Sequence, residues 1–394
     1  MKIPVVRHQE NLKYNNLQAV LKVIQRTPKE TISRADIAKL LNMSPASISR
    51  LVTDLIDIGL VVQDSLITKG VGRSAINLKI NDQSFYALGI AIDCNYINLS
   101  IIDLNYKIIA EKNELLNCEG LSPEEIIDKT FVGYEELCSN QNISQDKILA
   151  VGISCSGLID YKNGIVKFSP QFNWHNVPLA EIVKQKYNLP SYLDNDVKMA
   201  LIGATFQSNQ LVNSDVTYLT IGAGVAAAIM YDGVLVRGTN NASGEIGHSL
   251  FSLNGKKCSC GKKGCISPYI SEYGLKQEAK NRYNRDIDIT EIIGLYRQDD
   301  PIAHKLIDEL TDNIVIVINN LVYTYNTKYI LLGGSLFINC PEIFEISKIK
   351  FDEYDYKTFG IKPILKIREY VNNEALGAAY TAQNNMIKEL LWQG

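Results

Sequence analysis

Two hydrophobic patterns divide the chain. Up to about residue 80 the apolar positions recur at helical spacing. Leu17, Val20, Leu21 and Ile24 share one face of a helix over 16–26, and Ile48, Leu51, Val52 and Leu55 share one face of a helix over 45–58. Beyond residue 81 short continuous apolar runs take over. Residues 86–93, 96–103, 106–114 and 148–154 fit strands, and 122–139 fits a helix opened by Ser122-Pro-Glu-Glu. Helices over 179–187, 288–297, 302–325 and 373–391 then alternate with strands at 191–193, on both sides of Gly222-Ala-Gly224, at 329–332 and near 363–367. This order predicts an α/β protein, and its two strand–turn–strand openings predict two similar lobes around a cleft.

The punctuation of the first 80 residues is specific. Thr27-Pro28 ends the first helix, and Ser33 caps a helix over 34–41 with Asp36 three residues on. Asn42-Met43 turns the chain, Ser44 caps the next helix, Pro45 takes its first position and Gly59 closes it. A helix, a short turn and a second well-capped helix have helix-turn-helix spacing. Ser44, Ser47, Ser49 and Arg50 lie on the first turns of that second helix, away from the apolar stripe, where short polar side chains and one arginine approach base edges and phosphates. Residues 60–80 are expected to form a two-stranded wing whose tip, 68–74, offers Arg73 to an adjacent groove or phosphate. The plain alternative is a helical hairpin in a protein-binding module.

Charge strengthens the nucleic-acid reading. Residues 1–80 hold twelve lysines and arginines against six acids, a surplus of six positive charges, whereas the whole chain stands at −3 and the remainder therefore at −9. A basic head on an acidic body points to a polyanionic partner. Hydrophobic content of 46% and charged content of 21% are ordinary for a globular protein. No apolar run reaches the roughly 18 residues of a spanning helix, and the N-terminus shows no secretory pattern, so a cytoplasmic location without membrane contact is expected.

The densest chemistry lies at 244–265. His248, Cys258, Cys260 and Cys265 are four soft-metal ligands within 18 residues, in a chain with four histidines in all. Three thiolates and an imidazole match the donor set of closed tetrahedral zinc, and Gly255, Gly261 and Gly264 give the backbone freedom to fold around one ion. The plain alternative is a reactive turn with incidental cysteines. The other five cysteines have no disulfide-framework spacing. Asp194-Asn-Asp196 follows a strand, at the end of a sheet where α/β proteins bind ligands.

These residues resemble the ROK family of repressors, open reading frames and sugar kinases. The resemblance spans nearly the whole chain. Its most specific part is Gly244-Glu-Ile-Gly-His248 followed by Cys258-x-Cys260-Gly-x-x-Gly-Cys265. Val151-Gly-Ile-Ser-Cys-Ser-Gly-Leu-Ile-Asp160, Asn173-Trp174, Asn195-Asp196, Gly222-x-Gly224, Gly333-Gly334 and Ala375-Leu-Gly-Ala-Ala379 support it. It implies an N-terminal winged helix-turn-helix followed by a two-lobed actin/hexokinase-like ATPase fold. The expected divisions are 1–82 for the head, 83–198 with about 370–394 for the first lobe, and 199–369 for the second lobe with the zinc motif. It further implies a structural zinc on His248, Cys258, Cys260 and Cys265, and a sugar pocket at Asn173, Asn195, Asp196, Glu245 and His248, with Asp196 the base in kinase members.

Departures from the family pattern separate kinase from regulator. Where kinase members have Asp-x-Gly-Gly-Thr, this chain has Ala91-Ile-Asp93-Cys94-Asn95. A phosphate cradle needs unhindered backbone and a metal-organising carboxylate, and both are replaced. Ser267 stands where the family commonly has glutamate, and Lys198 where kinases tend to have asparagine, which suggests an altered ligand bearing phosphate or a carboxylate. The expectation is a DNA-binding repressor of carbohydrate-metabolism genes, of the xylose, N-acetylglucosamine or glucose repressor type. It would act as a homodimer or tetramer on operator DNA, bind a sugar or sugar phosphate effector and use no ATP. The alternatives are an active sugar kinase with a regulatory head, and a regulator controlled by a protein partner.

Overall fold

The structure, a computed structural model, describes residues 8–27, 31–64, 77–117, 120–208, 210–354, 356, 360, 363–368 and 372–393. The chain divides into two compact units, Met1–Ser154 with Val177–Leu193 and Ala378–Gly394, and Cys155–Asn176 with Asp194–Gly377.

The first unit opens with α1 (His8–Gln25), β1 (Ile32–Ser33), α2 (Arg34–Leu40), α3 (Pro45–Asp57), β2 (Val61–Asp64) and β3 (Asn77–Ile80). The caps expected from sequence are made. Ser33 Oγ accepts from the Asp36 N–H at 3.2 Å, and Ser44 Oγ accepts from the Ser47 N–H at 3.1 Å. Gly59 takes a φ of +88°, which lets the chain turn sharply after α3. Leu17, Val20, Ile37, Ile48, Val52, Leu55, Leu60 and Leu78 are wholly buried, so three helices and one hairpin close a small core. The expected two-stranded wing has a third strand, because β3 pairs antiparallel with both β1 and β2. The proposed tip at 68–74, with Arg73, lies outside the described residues.

Next come β4 (Tyr86–Ile92), β5 (Tyr96–Asp103), β6 (Ile108–Leu115), α4 (Pro123–Asn140) and β7 (Ile148–Cys155). A second sheet of three short strands, β8 (Leu158–Asp160), β9 (Ile165–Ser169) and β10 (Trp174–Val177), follows, and then α5 (Leu179–Tyr187), β11 (Ser191–Asn195) and α6 (Asp196–Gln207). A five-stranded sheet has the order β11-β7-β4-β5-β6, with β4, β5 and β6 an antiparallel meander.

The rest of the chain forms β12 (Val216–Ile221), β13 (Val225–Tyr231), β14 (Val234–Leu235), α7 (Ser267–Ile270), α8 (Glu272–Tyr283), α9 (Ile289–Tyr296), α10 (Pro301–Tyr325), β15 (Tyr329–Gly333), α11 (Ser335–Asn339), α12 (Pro341–Asp352), β16 (Ile364–Ile367) and α13 (Asn373–Gln393). Its five-stranded sheet runs β14-β13-β12-β15-β16, antiparallel on one side of β12 and parallel on the other. Leu219, Ile229, Ile330 and Leu332 from this sheet share a core with Ile307, Leu310, Ile314 and Ile318 of α10.

Helices α6 and α13 meet through two glycines. A Cβ on Gly203 would lie 2.1 Å from the Asn373 carbonyl oxygen, and one on Gly377 would lie 1.9 Å from that of Met199. No flexible side chain can yield there, because the obstacle is backbone. Gly377→Ala is expected to destabilise the protein by about 3 kcal/mol, at the upper end of overpacking costs, as read by urea unfolding. A variant as stable as the parent would mean that the two helices separate without penalty.

Candidate functional site

The face expected to meet DNA is solvent-exposed at Ser44, Ser49 and Arg50 and half-buried at Ser47. The Ser44 and Ser47 hydroxyls lie 2.8 Å apart, so they are engaged with each other as well as capping α3. Lys13 of α1 pairs with Asp54 of α3 at 3.1 Å, on the same side of the helix as Ser47 and Arg50.

The four soft-metal ligands converge. Their donor atoms all lie within 4.8 Å of one another, with Cys258 Sγ 3.6 Å from His248 Nδ1 and Cys260 Sγ 3.7 Å from Cys265 Sγ. The hairpin that brings them together is held by backbone bonds from Cys258 to Lys262, from Gly264 to Lys256 and from Phe251 to Gly264. A Cβ at Gly264 would sit 1.7 Å from the Ser252 oxygen, so only glycine lets these strands cross so closely. The seven described cysteines are all free thiols. The cluster can hold a metal ion.

The candidate pocket residues all belong to the second unit, and the structure gives them different tasks. Asn195 caps α6: its Oδ1 accepts from the Val197 and Lys198 N–H groups, and its Nδ2 donates to the Gly157 carbonyl and to Asp196 Oδ1. Asp196 opens α6 and is half-buried, and Glu245 is exposed. Asn173 is exposed with a φ of +54°, a left-handed turn position that asparagine tolerates. His248 is turned to the metal cluster through Nδ1.

Lys198 departs most from expectation. It is 3% exposed, and its Nζ donates to the backbone carbonyls of Asn241 at 2.9 Å and Ser243 at 3.3 Å. Burial lowers its pKa, opposed by the negative charges of Asp194, Glu245 and Asp196. A cation spent on protein carbonyls is not offered to a ligand, so Lys198 gives no ground for expecting an anionic effector.

Three further residues complete this network, and none of them carries a role that the sequence alone reveals. Asp194, 2% exposed, accepts from the Asn195 N–H at 2.8 Å, from Asn241 Nδ2 at 2.8 Å and from Arg237 Nη1 at 2.5 Å. Asn241 also donates to the Ile159 carbonyl, and Arg237 lies over the Tyr161 ring at 4.1 Å. Gln171, meanwhile, accepts from the Ser156 hydroxyl at 2.7 Å, one residue before Gly157. Asp194 is visible in the sequence as a carboxylate at a strand end. Arg237 and Asn241 sit in a loop with no motif to mark them.

At the β4–β5 loop, Ala91 is buried in β4 opposite Asn98. The Asp93 carboxylate accepts from the Asn95 N–H at 3.1 Å, and the Asp93 N–H donates to the Tyr96 carbonyl. Burial pushes the Asp93 carboxyl above its usual range, and the N–H groups of Asn95 and Cys94 work against that rise. The turn therefore satisfies itself. Gly222 and Gly224 of the β12–β13 loop bond to each other, and the space around Gly224 is open.

The ROK family pattern matches residues 87–385, and that of the IclR helix-turn-helix domain matches 17–65. The xylose repressor of Caldicellulosiruptor bescii is 30% identical over 336 residues, covering 82% of this chain and 84% of that protein. The crystal structure of a ROK family transcriptional regulator, a homolog of the E. coli Mlc protein, superposes with a TM-score of 0.81 at 21% identity, over 97% of this chain and all of that one. The ROK hexokinase of Thermus thermophilus superposes with a TM-score of 0.68 at 21% identity, over 77% of this chain and 99% of that one. The chain belongs to the ROK family, with a helix-turn-helix ahead of an actin/hexokinase-like α/β fold.

Proposed function

We propose that the chain is a DNA-binding transcriptional regulator that represses carbohydrate-metabolism genes, and that its kinase-like body binds a sugar effector without using ATP. The observation that carries this reading is the pairing of a capped, exposed recognition helix with a β4–β5 loop closed on Asp93. Phosphoryl transfer depends on positioning and charge neutralisation, and this loop offers a carboxylate and spent N–H groups in the place of a cradle. The similarity to a xylose repressor over four-fifths of the chain supports the same reading and suggests an aldose as the effector class.

In this reading the metal is zinc and its role is structural. A tetrahedral ion with Zn–S of about 2.3 Å and Zn–N of about 2.0 Å sets sulfur–sulfur edges of about 3.8 Å and sulfur–nitrogen edges of about 3.5 Å. Two of the six donor–donor distances, 3.7 and 3.6 Å, match those edges, and all six lie within 4.8 Å. Four protein donors leave no coordination position for a substrate. The ion would hold His248 and, three residues before it, Glu245. Two heads in a homodimer or tetramer would read half-sites separated by whole helical turns, and an effector would act by favouring one arrangement of the heads over another. Such a protein works in the cytoplasm, where the DNA is.

Three outcomes test the reading. With an operator obtained by in vitro selection, Arg50→Ala is expected to weaken binding about tenfold and lower the salt slope by about one. Unchanged affinity and slope would remove Arg50 from the interface. Purified protein given ATP and Mg²⁺ with D-xylose, D-glucose or N-acetylglucosamine should release no ADP above background, and turnover with any of them would make it a kinase. Elemental analysis should find one zinc per chain. Cys260→Ser should lose it and melt several degrees lower, since metal binding to a folded site is folding free energy. A metal-free parent of equal stability would discard the zinc assignment.

A further inference from the structure

Where α13 starts against α6, Ala204, Gln207, Leu331, Lys366, Arg368 and Asn373 line a small cavity of about 40 Å³. A water position takes roughly 10–15 Å³ and a benzene ring about 150 Å³, so the space suits a few waters or one small ion and excludes a sugar ring. Asn373 is 1% exposed, and neither its Nδ2 nor its Oδ1 has a hydrogen-bond partner among the described residues. A buried amide is rarely left so, because each unmet donor or acceptor is costly.

The charge around that amide is positive. Among the described residues, the ionic side chains that line the cavity are two cations, Lys366 and Arg368. Arg368 forms a bidentate pair with Glu374, at 2.5 and 3.2 Å, and donates to the Tyr218 hydroxyl at 3.1 Å, so its charge is balanced. Lys366 is half-buried and donates to Gln210 Oε1 at 2.6 Å, a neutral partner, and no carboxylate pairs with it among the described residues. Asn373 is also the first residue of α13, a helix of 21 residues whose leading N–H groups carry about half a positive charge. The last turn of α6, with Gln207, presents the opposite half charge to the same space. The two helix ends offset each other, and the full charge of Lys366 remains.

We propose that this cavity is a binding site for a small oxyanion of the phosphate class, held by Lys366, the Asn373 amide and the leading N–H groups of α13. Asp196 stands at the other end of α6, about 16 Å away by the rise of a helix, so the site is separate from the candidate sugar pocket and independent of the effector reading. Bound there, the ion joins the end of β16 to the start of α13.

Equilibrium dialysis of the full-length protein with labelled inorganic phosphate, in chloride at fixed ionic strength, should find one such site per chain. Lys366→Gln should weaken it about tenfold or more, the scale of one hydrogen bond to a charged group, with zinc content unchanged. No bound phosphate, or binding that Lys366→Gln leaves at full strength, overturns the proposal; the second result would place the ion elsewhere, as on the basic head. Glucose 6-phosphate should compete about tenfold more weakly than inorganic phosphate, since the cavity excludes its ring. Tighter competition that depends on Lys366 would overturn the assignment to the free ion. Should Lys366→Gln fail to fold, Asn373→Asp, which places a fixed anion in the same space, decides the matter. In phosphate-free buffer it should raise the urea midpoint and abolish phosphate binding. A lower midpoint would show a cavity built for water alone and overturn the proposal.

Discussion

An ionised carboxylate at 2% exposure, as Asp194 is, has to be paired and fully hydrogen-bonded. Its partners come from three places along the chain: the next backbone N–H, the Asn241 amide and the Arg237 guanidinium. Satisfying one charge therefore ties the end of β11 to the loop that leads into Gly244-Glu-Ile-Gly-His248. Asn241 extends the tie to the Ile159 carbonyl of β8, and Lys198 brings in α6. Removing one member of such a set leaves a buried charge exposed to the low dielectric of the interior, at a cost of about 3–5 kcal/mol. The candidate pocket inherits its rigidity from this requirement.

The sequence was most legible where local rules decide the structure. Ser33, Ser44, Pro45 and Gly59 punctuate α2 and α3 because caps and left-handed closures need only near neighbours. The apolar runs of β4, β5, β12 and β15 were readable because strands buried on both faces must be apolar throughout. The sheet of β8, β9 and β10 was not, since its strands are three to five residues long and Phe168 and His175 face solvent within them. Helix α8 mixes charges on every face, so periodicity could not mark it. The metal cluster was legible because its donors lie close in sequence. The Asp194 network was not, because Arg237 and Asn241 reach it only through the fold.

Lys198 illustrates a general limit. A lysine in a strand-end motif looks like a ligand contact when only its charge is known. Its meaning depends on which way the ammonium points, and here two backbone carbonyls 43 and 45 residues away decide that. Read in three dimensions, the same side chain no longer supports the expectation of an anionic effector.

The turn at Asp93 is closed on itself. The family's kinases carry a carboxylate at the position of Ala91 and glycine at that of Asp93. Ala91 is buried in β4, where a carboxylate would need a partner, whereas the Asn95 N–H that Asp93 accepts from is exposed and would pass to water. The turn closes its own hydrogen bonds within residues 93–96 and asks nothing of a ligand to hold its shape.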